Sequence, residues 1–251
     1  MRALGPLCGV TFALGAVLGV APAAAQDREA FIAGTAKDCP GCDLSGVSFK
    51  RRNLAGANLA GANLEEATFH RANLRGANLS GANLAYANLN RADLTGANLR
   101  GADLTKAMLF AADAAAANFS GATLVGALMG DVRLIRANLE NANLTRADLG
   151  GGRLTDARFG NATLTRADLR DVALFRADMR AVTAEEAYFA NADLRGADLR
   201  GAVLRHSNFE AADLSTANLA GANLEAANLL RTILDDAILT GARMPNNTVH
   251  P

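Results

Sequence analysis

The chain has 251 residues, half of them hydrophobic yet only 5% aromatic, with no Trp and with 25 basic and 25 acidic side chains, a formal net charge of zero. That balance supplies no bulk field to hold nucleic acid or an anionic membrane. The hydrophobic share comes mainly from Ala and Leu, the profile of a repeat protein rather than of an ordinary mixed core.

The N-terminus reads as a secretory signal. Arg2 is followed by an uncharged apolar run over residues 4–20 and then by Ala21-Pro22-Ala23-Ala24-Ala25-Gln26. Ala23 and Ala25 fit an A-x-A site, so residues 1–25 are read as a signal peptide cleaved after Ala25. Gly5, Pro6, Gly9, Gly15 and Gly19 argue against a retained anchor, because a spanning helix needs about 20 apolar residues. Cys8 follows Leu7 and lies too close to Met1 for a lipoprotein signal. The expected location is the periplasm or the exterior. The mature chain then carries 24 basic and 25 acidic residues, a formal charge of −1.

Residues 26–41 form a candidate cap, with a short helix predicted over 27–36 and with Phe31 and Ile32 placed to cover the repeat that begins at residue 42. Cys39-Pro40-Gly41-Cys42 closes it. An exported cysteine pair is expected to oxidise, and a loop this short contributes about 2 kcal/mol in the chain-entropy model. The competing readings are weaker. A redox dithiol normally comes with a βαβ unit, haem attachment needs His where Asp43 stands, and zinc needs more ligands than the scattered His70, His206 and His250 supply. No cofactor and no metal are expected.

From 44 to 244 every fifth residue is Leu, Phe, Met or, at Ala114 and Ala184, Ala, and the phase never slips over forty-one units. A small residue, usually Ala, stands two before each of these centres, and Asn or Asp commonly stands between. A five-residue step advances an α-helix 140° beyond a full turn, at about 100° per residue, so the leucines would form no stripe. In a flat strand an odd period sends successive leucines to opposite faces. A three-residue strand plus a two-residue corner satisfies both constraints. The centre and the small residue point inward, and the Asn or Asp points out. Gly at the second corner position, as at Gly46, Gly56 and Gly61, suits a type II turn. Asn141, Asn161 and Asn191 tolerate the same conformation. Corners with Arg or Asp there are expected to use a different turn.

The run "ANLAGANLEEATFHRANLRGANLSGANLAYANL" resembles the pentapeptide-repeat family, whose motif is A(D/N)Lxx. The resemblance covers residues 42–245. It implies an all-β solenoid, a right-handed quadrilateral parallel β-helix with four units per coil and about ten coils, followed by a tail over 246–251. Centres twenty residues apart would then share a column: Phe49 with Phe69, and Phe189 with Phe209. Each undersized centre, Ala114 and Ala184, directly precedes a Phe centre, Phe119 and Phe189.

Little in the sequence carries chemistry. No nucleophile elbow, phosphate loop, zinc-protease motif or dinucleotide fingerprint is present, so no catalytic residue is nominated and the chain is read as a non-enzyme. His70 and His206 fall on corners and read as solvated. Lys50-Arg51-Arg52, with Arg71 and Arg91 in the column of Arg51, reads first as a solvated face and second as a site for an anionic polymer.

The exceptions to the repeat are more informative. Met108 and Leu128 are outward positions twenty apart, Phe110 lies beside Met108, and Val125 and Ile135 sit on neighbouring corners. Together they form a candidate interaction patch, because exposed apolar clusters mark interaction sites. Near the end, Leu230, Ile233 and Ile238 are apolar where the repeat is polar. Either the tail or a second subunit covers them. The tail is short and polar, which favours a homodimer stacked end to end. The expected function is an exported structural or protein-interaction module of the bacterial envelope with an unidentified protein partner. One branch of the family is similar to duplex DNA and binds DNA gyrase. That alternative conflicts with the balanced charge and the signal peptide.

Overall fold

The computed structural model describes residues 23–251. The expected signal peptide lies outside the described residues except for its last three, which begin helix α1 (Ala23–Ala33). The helix therefore starts and stops earlier than predicted. Gly34, at φ +82°, ends it, with its amide bonded to the Phe31 carbonyl at 3.1 Å and that of Thr35 to Ala30 at 2.9 Å. Glycine reaches this left-handed geometry without a Cβ penalty and is the usual helix terminator.

Beyond the cap, every outward residue from Asp43 to Asn223 forms a parallel bridge to the residue twenty positions later. A twenty-residue return with a five-residue unit means four corners per coil. The body is thus a parallel β-helix of square cross-section, with faces whose first centres are Leu44, Phe49, Leu54 and Leu59. The Leu44 amide donates to the Asn63 carbonyl (2.7 Å), the Asn63 amide to Cys42 (2.9 Å) and the Gly46 amide to Glu65 (2.8 Å), while Val47 closes the corner onto Leu44 (3.2 Å). The one amide these ladders leave over, Ser45, donates to the Asp43 side chain at 3.2 Å. This local side-chain turn explains why Asn and Asp fill the outward position. At several outward Asn residues of the first coils the spare amide also links coils. Asn63 Nδ2 donates to Asp43 Oδ1 at 3.0 Å, and Asn83 Nδ2 to Asn63 Oδ1 at 3.1 Å. In the C-terminal half, Arg–Asp pairs take over the outward face, as in Arg195 with Asp193 (2.7 Å) and Asp213 (3.7 Å).

The corners correct an expectation. Arg51 (φ +58°), Asp131 (φ +56°) and Ala181 (φ +52°) adopt the same left-handed conformation as Gly61 (φ +64°). No second turn type is used. Up to Ala226 each corner amide is tied to the next coil, as Arg51 is to His70 at 2.9 Å, but Arg231 (φ +58°) and Asp236 (φ +57°) in the last coil adopt the same conformation without that bond, so the conformation belongs to the corner whatever residue stands there.

The interior is filled by the centres and the small residues. Phe49 and Phe69 stack at 5.1 Å between ring centroids, and Phe189 and Phe209 at 4.7 Å. Ala114, Phe119, Ala184 and Phe189 are all fully buried. Phe31 from α1 continues the aromatic column, meeting Phe49 edge-on at 5.5 Å, and Ile32 packs partly buried against the same core. The Cys39–Cys42 pair is disulfide-bonded, Cα to Cα 5.5 Å, and both residues are buried under the cap.

The basic cluster divides in a way the sequence reading missed. Arg52 occupies the small inward position and is not part of a solvated face. Its guanidinium donates to the carbonyls of Phe31 (2.7 Å) and Ile32 (2.9 Å) and lies over the rings of Phe31 (5.6 Å) and Phe49 (5.5 Å). It pins the C-terminus of α1, where carbonyls without helical partners and the helix dipole both favour a cation.

The far end is only partly closed. The tail folds back as an antiparallel strand, with Val249 bridging Arg243 and with Met244 donating to Thr248 at 2.7 Å. It thus covers one face and leaves Leu230, Ile233 and Ile238 exposed. On the other three faces the amides of Leu229, Leu234 and Leu239 have no backbone partner among the described residues.

Candidate functional site

Met108, Phe110 and Leu128 line one groove on the second face, of about 360 Å³, together with Asn90, Gly130, Asp131, Asp148 and Gly150. Phe110 is 44% exposed and Leu128 51%. The local cause is a break in the repeat. Met108 cannot hold the amide of Phe110 as an outward Asn would, and Asn90 from the preceding coil accepts it instead at 2.8 Å. A Cβ at Gly130 would start 3.4 Å from the Phe110 ring, so the missing side chain lets the ring lie across the corner. Gly150 and Gly151 leave the next corner bare, and the Asp131 carboxylate lies over Gly151. The groove is therefore apolar on one side and acidic on the other.

Val125 and Ile135 do not line this groove. They are half-buried, Val125 on the corner before the second face and Ile135 on the corner after the third. Conversely, the sequence reading passed over Asn90, Gly130, Asp131, Asp148 and Gly150. The signal was present: Asn90, Gly130 and Gly150 stand in the twenty-residue column of Phe110.

At the C-terminal end Leu230 (57%), Ile233 (44%) and Ile238 (48%) are exposed along the edge with the free amides. At the opposite end of the second-face corner lie Lys50, Arg51, His70, Arg71 and Arg91. Partial burial and then the fields of Arg71, Lys50, Arg91 and Arg51 hold His70 below the usual imidazole range. The pattern records a local positive potential. His206 stands on a different corner and joins no cluster with His70. Among the described residues no group of His, Cys, Asp and Glu is arranged to hold a metal ion. None of the described helices is long and apolar enough to cross a membrane.

The sequence profile described as "Pentapeptide repeats" matches residues 42–81, 77–113, 115–151, 142–180, 185–219 and 217–246. The chain belongs to the pentapeptide-repeat family. Among solved structures, this pentapeptide-repeat protein is similar to HetL from the cyanobacterium Nostoc, a family member involved in regulating heterocyst differentiation. The identity is 30%, covering 89% of this chain and 97% of HetL, with a TM-score of 0.49. It is also similar to full-length QnrB1, a plasmid-mediated fluoroquinolone resistance protein, at 18% identity over 80% of this chain and 92% of that one, with a TM-score of 0.36. A thylakoid-lumen pentapeptide-repeat protein from Arabidopsis thaliana is 30% identical over 57% of this chain and 73% of its own, with a TM-score of 0.16. None of the curated proteins compared with it matches the chain.

Proposed function

We propose that this pentapeptide-repeat protein is a non-enzymatic interaction module of the bacterial envelope, wound right-handed over about ten coils and exported by its N-terminal segment. The observation that carries the reading is the groove of Met108, Phe110 and Leu128, an exposed apolar site on a body whose outward positions are otherwise mostly polar or charged. Solenoids act through such extended surfaces, and an exposed apolar cluster costs solubility unless a partner uses it. The open C-terminal edge with Leu230, Ile233 and Ile238 is a second contact, read as an end-to-end homodimer. The balanced net charge argues against the gyrase-binding alternative.

Two measurements test this. Fractionation of cells producing the full chain with a C-terminal tag should place it outside the cytoplasm, beginning at Gln26. Cytoplasmic protein that retains Met1 would overturn export. Affinity capture from the envelope fraction should lose its partner when Met108, Phe110 and Leu128 are all replaced by Ala. Unchanged capture would remove the groove from the function.

A further inference from the structure

The corner that follows the second face carries, one residue per coil, Arg51, Arg71, Arg91, Ala111, Asp131, Gly151 and Asp171. Over these seven coils the column is basic before Ala111 and acidic after it; it then runs through Asn191 and Ala211 to Arg231, three coils past the last position that an antiparallel pair centred on Ala111 brings opposite its partner's column. Arg91 and Asp131 stand one coil either side of Ala111, and Arg51 and Asp171 stand three coils either side. Arg71, at two coils, matches Gly151, where no side chain projects. Turned about a two-fold axis through Ala111 and perpendicular to the rod, this column meets its own complement. An isologous interface has this form, in which residue i of one copy faces j of the other and j faces i.

From this placement we propose that two copies of the chain pack side by side and antiparallel along this corner, with Phe110 at the two-fold axis. The inference rests on reading the groove as an interaction surface, and it names the occupant as a second copy.

Three observations support it. First, the charges in the column are not held in ion pairs, although Asp171 accepts a hydrogen bond from Asn191 Nδ2 at 3.2 Å. Among the described residues Arg51, Arg71, Arg91, Asp131 and Asp171 take part in no salt bridge, as is also true of Arg136 and Arg146 on other corners, whereas Arg166, Arg176 and Arg195 are paired. All five are exposed. Second, the apolar residues lie at the centre of the charge pattern. Phe110 directly precedes Ala111, with Met108 and Leu128 beside it, so the axis is dry where the column changes sign. Third, the arrangement discriminates between orientations. A parallel, in-register pair would set Arg on Arg and Asp on Asp, and like charges in apposition exclude it. The register also sets Lys50 opposite Arg170, but the guanidinium of Arg170 is folded onto Asp168, its Nε 2.8 Å from Oδ1, so that charge is already met. The strip from Arg51 to Asp171 covers six coil steps, on the order of 30 Å at about 4.8 Å per step.

The test is sedimentation of the purified protein, produced with its own N-terminus, over a concentration series at low salt. A monomer–dimer equilibrium that weakens with added salt is expected. Arg91→Asp and Asp131→Arg should each weaken the dimer by roughly tenfold or more, since the two-fold axis turns two attractions into two repulsions. Mixing those two variants should restore association, because each reversed charge then faces its opposite. In an Ile238→Lys background, which removes the end-to-end contact, Phe110→Ser should abolish the remaining dimer while leaving the circular dichroism and melting temperature of the monomer unchanged.

Monomer at every concentration overturns the proposal. So does a dimer that survives Arg91→Asp and Phe110→Ser but is lost in Ile238→Lys, which assigns association to the C-terminal coil. If the pure protein is monomeric while envelope capture still depends on Met108, Phe110 and Leu128, the interaction-module reading stands and this one falls.

Discussion

Replacing Arg52 with Ala should release helix α1 from the end of the rod without unfolding the rod. The guanidinium makes two charge-assisted hydrogen bonds, at 2.7 and 2.9 Å, to the last carbonyls of the helix and bridges the rings of Phe31 and Phe49. A hydrogen bond to a charged group is worth about 1.5–3 kcal/mol, and a cation over a ring about 0.5–1 kcal/mol at exposed sites. Arg52 is half-buried and water replaces part of what is lost, so about 3 kcal/mol is the expected cost of cap docking. Solenoid contacts are local, so the loss should appear as local opening of the cap. The amides of Gly34, Thr35 and Ala36, bonded to Phe31 and Ala30, report it directly. Native-state hydrogen exchange there should speed up roughly a hundredfold, while amides of the central coils stay unchanged. Arg52→Lys keeps the charge but not the planar fork, and should recover only part of the protection. Cap amides that exchange at the wild-type rate in Arg52→Ala would refute the assignment of Arg52 as the pin.

Other expectations come from the repeat geometry. Ala181→Gly should hold or raise stability by up to about 1 kcal/mol in chemical denaturation, reversing the usual Ala-to-Gly loss, because φ is +52° at that corner. Gly61→Ala should cost about 1 kcal/mol for the same reason, although a Cβ there meets nothing within 4 Å. Asn78→Ala removes the bond to the Ser80 amide and both links to Asn58 and Asn98. A loss of about 1–2 kcal/mol by denaturant titration is expected. Hydrogen bonds from Arg170, Arg180, Arg195 and Arg200 hold Asp168, Asp178, Asp193 and Asp198 below the usual aspartate value of 3.8. A depressed folded-state pKa stabilises above the unfolded value, and that stability is lost as protons return. The melting temperature should therefore hold from neutrality down to about that value and fall below it. A fall centred near neutrality would contradict the pairing.

The five-residue phase determined the inside and the outside of every unit, because an extended backbone alternates its side chains and only a bent strand reconciles an odd period with one apolar face. That alternation needs no neighbour, so Leu44, Phe49 and their successors were assignable to the core from the residues alone. The corner conformation was not, since Arg51 and Asp131 have no intrinsic preference for positive φ. The closing of the square coil imposes it, in the last coil as well, where the amides of Arg231 and Asp236 have no further coil to bond. Arg52 looked like a surface cation beside Lys50 and Arg51, and its role required the helix carbonyls that fold back over it from twenty residues earlier. The groove had the same character. Met108, Phe110 and Leu128 stood out as apolar exceptions in the sequence, but a twenty-residue return set Gly130 against Phe110, with Gly150 in the coil beyond, and left Val125 and Ile135 on other corners. Periodicity assigns faces because it is a property of the local chain. Adjacency between coils depends on how many corners close the square, and that is settled where hydrogen bonds between coils form.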